Sequence, residues 1–217
     1  MKSFCLAVLA LLVPRAASAT PTADPWLPGS GGVGVGLATG IPFLVMGELS
    51  IGVTDYAALG VLGGATPIVS GFGFRPRGAV PISDRWRVLV SAATLYYPPT
   101  LNAPNAWWLS RPTALFDAEP MNGVHVGMGG GVVGIVTHDS VFARRSEAKI
   151  SSPYGVPDRG RTSDAWGTVN AAGSLQISEH ACAFFDGTLV LSGHGLAGKD
   201  WVGGPPFILF LGVSAGL

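Results

Sequence analysis

Charge is scarce in this chain: Asp, Glu, Lys and Arg supply 12% of its 217 residues, with thirteen acidic and thirteen basic side chains. A sequence without a basic excess offers no electrostatic case for nucleic acid, which calls for a basic face, nor for strong attraction to anionic lipid. Cysteine is almost absent. Of Cys5 and Cys182, the first sits in an N-terminal apolar run that export would remove, which leaves Cys182 alone and excludes an intramolecular disulfide. Beyond that run no apolar stretch approaches the ~20 residues of a membrane-spanning helix. Good helix-forming segments are also few, since 32 glycines and 17 prolines interrupt the chain.

At the N-terminus Lys2 precedes the apolar run Phe4 to Val13, followed by Ala17-Ser18-Ala19, the small-x-small form of a signal-peptidase site. Pro14 and Arg15 end the run too early for a membrane anchor. Cys5 lacks the Leu-x-x context of a lipoprotein. The expectation is therefore a cleaved signal peptide over 1–19, Sec-type export, a short N-terminal segment over 20–30 and one domain over 31–217. Loss of Lys2 and Arg15 leaves eleven basic against thirteen acidic residues in the mature chain.

A very apolar chain with no spanning helix can satisfy its backbone in lipid by closing a sheet into a barrel. The test is a period of two, since each strand of such a barrel turns one face to lipid and the other to the lumen. Segment 43–53 places Phe43, Val45, Leu49, Ile51 and Val53 opposite Met46, Glu48, Ser50 and Gly52. Segment 71–80 sets Phe72, Phe74 and Val80 against Arg75 and Arg77, and 86–96 sets Trp86, Val88, Val90 and Tyr96 against Arg87, Leu89 and Ser91. Residues 165–177 and 181–191 alternate in the same way, with Thr168, Asn170, Ser174 and Asp186 on the inner side. Strands are expected near 31–38, 43–53, 57–64, 68–81, 86–96, 107–116, 123–136, 165–177, 181–192 and 207–217. This predicts an all-β, antiparallel, up-and-down transmembrane β-barrel of about ten strands.

Three connections share one pattern, a β-branched residue followed by hydroxyl and acidic side chains: Val53-Thr54-Asp55, Ile82-Ser83-Asp84 and Ile177-Ser178-Glu179. Such side chains bond their own backbone in tight turns. A fourth short connection is expected over Asp117–Gly123. The links 98–106, 137–164 and 193–206 are longer, and short turns at one end with long loops at the other are the asymmetry of outer-membrane barrels. The stretch Thr137 to Asp164, rich in charge, Pro and Gly, is expected to be a surface loop and the first candidate for contact with a partner.

Aromatic spacing fits the same picture. Trp86 and Tyr96 lie ten residues apart on one face, ~34 Å of strand, or about 26 Å along the membrane normal at ~40° tilt, against an apolar band of ~25 Å. With Tyr97, Trp107, Trp108, Trp166 and Trp201 they are expected to form an aromatic girdle. Phe207, Leu209, Leu211, Val213, Ala215 and Leu217 make an alternating face that runs to the C-terminus, the form of a closing strand read by barrel-assembly machinery, although Leu217 stands where a terminal aromatic is usual.

The stretches Glu48-Leu49-Ser50-Ile51-Gly52-Val53-Thr54-Asp55 with Leu59-Gly60-Val61, Phe74-Arg75-Pro76-Arg77, Ile82-Ser83-Asp84-Arg85 and, loosely, Gly203 to Leu211 resemble a family of uncharacterised outer-membrane β-barrel proteins of Gram-negative bacteria. The resemblance touches most of 43–217 through short motifs. It implies a fold and an outer-membrane location, with outer-membrane lipid as partner, and no activity.

The candidate site is a lumen charge cluster of Glu48, Arg75, Arg77, Arg87 and Asp186. Paired charges filling a narrow barrel are one reading; a selectivity ring for small anions is another, since three arginines there outnumber two carboxylates. No enzyme is expected. Ser192 with His194, and His138 with Asp139, could be arranged as catalytic groups, but no motif surrounds them. Gly127-Met128-Gly129-Gly130-Gly131 lacks the Lys-Ser/Thr ending of a phosphate loop, so no cofactor or metal is expected, and Cys182 reads as lumen filler. The reading is thus a structural or surface-exposed, porin-like outer-membrane protein with at most narrow solute passage. The rivals are a secreted lipocalin-like barrel, which would reverse the faces, and an outer-membrane hydrolase.

Overall fold

The computed structural model describes residues 27–41, 45–65, 70–99, 106–138, 162–191, 196 and 207–216. The expected signal peptide, Phe43, Asp139, Ser192, His194, Trp201, Leu217 and the stretch 139–161 of the expected loop lie outside the described residues. Ten strands follow one another: β1 (Val33–Ile41), β2 (Val45–Thr54), β3 (Ala57–Ala65), β4 (Ser70–Ser83), β5 (Trp86–Tyr97), β6 (Ala106–Met121), β7 (Val124–His138), β8 (Thr162–Ser178), β9 (Ala181–Val190) and β10 (Phe207–Gly216). Each pairs antiparallel with its sequence neighbours, and β10 pairs antiparallel with β1, so the sheet is a closed up-and-down barrel. Closure leaves no sheet edge. The Gly-rich first strand is real: Gly34 to Ile41 stand opposite Gly216 to Leu209.

The shared turn pattern has a physical basis. Thr54, Ser83 and Ser178 each accept a hydrogen bond from the backbone N–H two residues on, at Tyr56 (3.1 Å), Arg85 (3.4 Å) and His180 (3.4 Å). At all three the register shifts by one residue just before the hydroxyl, so Val53, Ile82 and Ile177 are bulge residues. The fourth connection differs from expectation. β6 continues to Met121 through a register shift at Ala118/Met121 that absorbs Glu119 and Pro120, and the turn is Asn122-Gly123. At the opposite end β7 runs on to His138 and β8 begins at Thr162, so both margins of the expected 137–164 loop are strand. Two links at that end, 42–44 and 66–69, are short as well.

The side-chain alternation separates two chemistries. Outward positions carry exposed apolar groups, among them Leu37, Leu49, Ile51, Val61, Phe72, Phe74, Val90, Phe116, Met128, Leu189, Leu211 and Val213. Among the described residues no charged side chain faces outward between the turns. The lipocalin-like arrangement is thereby reversed, since Val45, Leu49 and Ile51 are outside and Glu48 and Arg87 inside.

The interior is stratified along the barrel axis. At the loop end Met46, Leu62, Leu95, Tyr97, Leu109, Val133, Ile135, Trp166, Val190, Ile208 and Phe210 pack into one apolar layer. At the turn end Leu27, Ala58, Ala79, Leu89, Leu115 and Ala172 form a second. Most of the interior polar residues lie between them and at the turn-end mouth, with Asp164 at the loop end beside Ile135.

Candidate functional site: the interior charge belt

Inward positions halfway along β2, β4, β6, β8 and β9 bring Glu48, Arg75, Arg77, Arg111, Asn170, Asp186 and Thr188 to one level. Burying ions is costly unless each is paired and hydrogen-bonded, and here the pairing is continuous. Arg77 is ion-paired with Glu48 through Nη2 and Oε1. Arg75 Nη1 donates to Glu48 Oε2 at 3.1 Å, and its Nη2 donates to Asp186 Oδ2 at 3.3 Å. The same Asp186 oxygen accepts from Arg111 Nη2, while Arg111 Nη1 donates to Thr188 Oγ1 at 2.9 Å. Thr188 Oγ1 donates onward to Asn170 Oδ1 at 2.7 Å, and Asn170 Nδ2 donates to Thr168 Oγ1 at 3.1 Å.

β4 and β9 are separated by four strands in either direction around the ring. The Arg75–Asp186 pair is therefore a strut across the full width of the lumen. Gly60 makes room for it: a Cβ there would stand 2.3 Å from Glu48 Oε1, so a bare glycine on β3 lets Glu48 turn toward the two arginines.

Arg87, expected in the same cluster, belongs to a second group nearer the turn end. Its Nε donates to Asp117 Oδ2 at 2.7 Å, and His125 Nδ1 lies 3.2 Å from that oxygen and 3.5 Å from Arg87 Nη2. The separation follows from register, since Arg87 is the cross-strand partner of Asp117 close to the Asp84-Arg85 turn. Asp117 and His125 resemble the acid–imidazole half of a hydrolase triad, but their third member is a guanidinium, which cannot act as a nucleophile.

Sequence reasoning missed Arg111, Asp117 and His125 as interior groups. Parity could have found them. Arg111 is the single basic residue of β6, and the face it shares with Leu109, Thr113 and Leu115 also holds Asp117. With them, and with buried Asp164, the described interior carries Arg75, Arg77, Arg87 and Arg111 against Glu48, Asp117, Asp164 and Asp186. The arginine excess behind the anion-ring reading disappears.

The expected aromatic girdle divides in two. Trp86, Tyr96 and Trp108 face outward; Tyr96 contacts Phe72 (5.7 Å between centroids) and Trp108 (4.8 Å), and Trp86 stacks on Phe116 at 4.9 Å. Tyr97, Trp107 and Trp166 are corrections. Tyr97 and Trp166 are 0% and 2% exposed inside the barrel, and Trp107 stacks on Tyr97 at 3.8 Å. Each lies at the expected height but on the opposite parity, so it fills the loop-end layer. Cys182, on the inner face, has its Sγ 2.9 Å from Ser214 Oγ.

Comparison with known proteins finds low-similarity matches among solved structures. The N-terminal β-barrel domain of Pseudomonas aeruginosa OprF shares 13% identity over 87% of this chain and 99% of its own, with a TM-score of 0.39. Ail, the attachment invasion locus protein of Yersinia pestis, shares 10% over 86% and 94%, with a TM-score of 0.36. Ail in complex with the heparin analogue sucrose octasulfate gives 12%, 87%, 100% and 0.40. No protein-family model and no curated protein matches the sequence.

Proposed function

We propose that this chain is a barrel of the bacterial outer membrane with a structural or surface-exposed role, its lumen closed to solutes and without catalytic activity. The observation that carries the location is the outward face, predominantly apolar, with a few hydroxyls such as Thr94 and Ser110, and uncharged among the described residues, while four arginines and four carboxylates point inward. In water such a surface far exceeds the few hundred Å² of contiguous apolar patch a soluble monomer exposes; in hydrocarbon it is the required surface. The paired Trp86/Phe116 and Tyr96/Trp108 contacts stand at two heights of that face, where interfacial aromatics sit.

Two features support a closed lumen over a channel. The apolar layers occupy both ends, and the Arg75–Asp186 strut crosses the middle. The test is fractionation of producing cells, with migration on a gel before and after boiling. The mature protein should sediment with outer membranes and shift on boiling; recovery as a soluble species without detergent would overturn the location. Regular conductance steps from the purified protein in planar bilayers would overturn the closed lumen.

A further inference from the structure

The segment ahead of β1 enters the barrel. Leu27 is 4% exposed and packs among Ala58, Ala79, Leu89, Leu115 and Ala172, inner-face residues of β3, β4, β5, β6 and β8. Membership of a cluster that draws on five strands, and a lining shared with Arg77, Leu89 and Leu115, place it inside the turn end of the lumen. A tight reversal brings it there: Gly32 N donates to Gly29 O at 3.1 Å, and Gly29 and Gly31 have φ of +80° and +73°, values that glycine adopts without a steric penalty. The reversal is fastened to the wall. Gly31 N donates to Gly52 O and Gly52 N to Gly32 O, both at 2.9 Å, and Ser30 N donates to Asp55 Oδ1 at 3.1 Å. Gly29 O lies 1.5 Å from where a Cβ on Gly52 would stand. Only a glycine at 52 lets the segment lie where it does.

Leu27 also separates two environments. With Arg77, Leu89, Ser91, Thr113 and Leu115 it lines the void of about 10 Å³ beneath the charge belt. The Arg87–Asp117–His125 group lies on its other side, toward the mouth, with about a fifth of the Arg87 and His125 side chains exposed. We infer that residues 27–32 are a latch, an autogenous plug that bars water from the belt at the turn-end mouth and can leave without unfolding the barrel. The register pairs that close the barrel begin at Val33 and Gly34, so apart from the two Gly31 and Gly32 bonds to Gly52 none of that pairing is built from these six residues. The inference goes beyond the proposed role and holds in detergent as well as in lipid.

The reporter is Ser91→Cys in a Cys182→Ser background, reacted in micelles with a small water-soluble thiosulfonate. With the latch intact the thiol should react slowly. Gly52→Val, which evicts Gly29, and Leu27→Ser, which removes the apolar stopper, should each raise the rate about tenfold or more through local opening, while the boiling-dependent gel shift shows that the barrel remains folded. Equal rates with and without the latch changes, fast or slow, would overturn the inference. So would failure of both variants to fold, because the segment would then be part of the framework.

Discussion

Replacing Asp186 by Asn tests the charge belt with little change of volume. The carboxylate receives Arg75 and Arg111 on one oxygen, so neutralising it leaves the guanidiniums of Arg75, Arg77 and Arg111 facing Glu48 alone in a closed interior. Removing one partner of a buried ion pair costs roughly 3–5 kcal/mol, and Asp186→Asn should fall in that range. Arg75→Met, which keeps the aliphatic stem, acts differently: Glu48 retains Arg77, and Asp186 retains Arg111. What is lost is the strut itself, two hydrogen bonds between charged groups, for about 2–3 kcal/mol after relaxation. The prediction is therefore an order, Asp186→Asn costlier than Arg75→Met. Urea unfolding in lipid vesicles, followed by tryptophan fluorescence and the boiling-dependent gel shift, would measure it. Equal stability of both variants and the parent, or Arg75→Met as the more damaging change, would show that the belt does not hold the barrel through Asp186.

Gly60→Ala should displace Glu48 from its arginines and cost about 1–3 kcal/mol, read in the same unfolding assay; a neutral result would mean that Glu48 finds an equivalent rotamer. Leu49→Arg places a charge on the outward face midway along β2 and should cost about 2–4 kcal/mol in bilayers; a negligible cost would argue that this face meets water. Trypsin added to intact cells should cut at Arg144, Arg145, Lys149, Arg159 or Arg161 and leave the rest of the chain protected. Cleavage that requires a permeabilised outer membrane would invert the orientation.

How much of this was legible depends on what each strand's inner face holds. Where the belt crosses β2, β4 and β9, Glu48, Arg75, Arg77 and Asp186 alternate with Leu, Phe and Pro, and parity can be read from the letters. Near the loop end the lumen is filled by Leu95, Tyr97, Trp107, Leu109 and Trp166, as apolar as the lipid face, so the alternation vanishes and adjacent aromatics such as Tyr96-Tyr97 and Trp107-Trp108 look alike. β6 suffers most, since its outward face includes Ser110 and Pro112 and its inward face Leu109 and Leu115. The turns after Val53, Ile82 and Ile177 were visible as a repeated motif because the hydroxyl that anchors each is in the sequence, whereas the bulge that precedes each hydroxyl was not. The latch was not visible: Gly29-Ser30-Gly31-Gly32 specifies a reversal, but its direction is set by the bare backbone of Gly52.

The belt also bears on how the two halves of the chain find each other. On β1–β5 the described inward charges are Glu48, Arg75, Arg77 and Arg87, a surplus of two positive; on β6–β10 they are Arg111, Asp117, Asp164 and Asp186, a surplus of two negative. Neither half-sheet could rest in hydrocarbon by itself, and each neutralises the other. A chain severed in the 98–105 link should therefore yield two fragments that reassociate selectively with one another, with each half acting as the counterion of its mate during insertion.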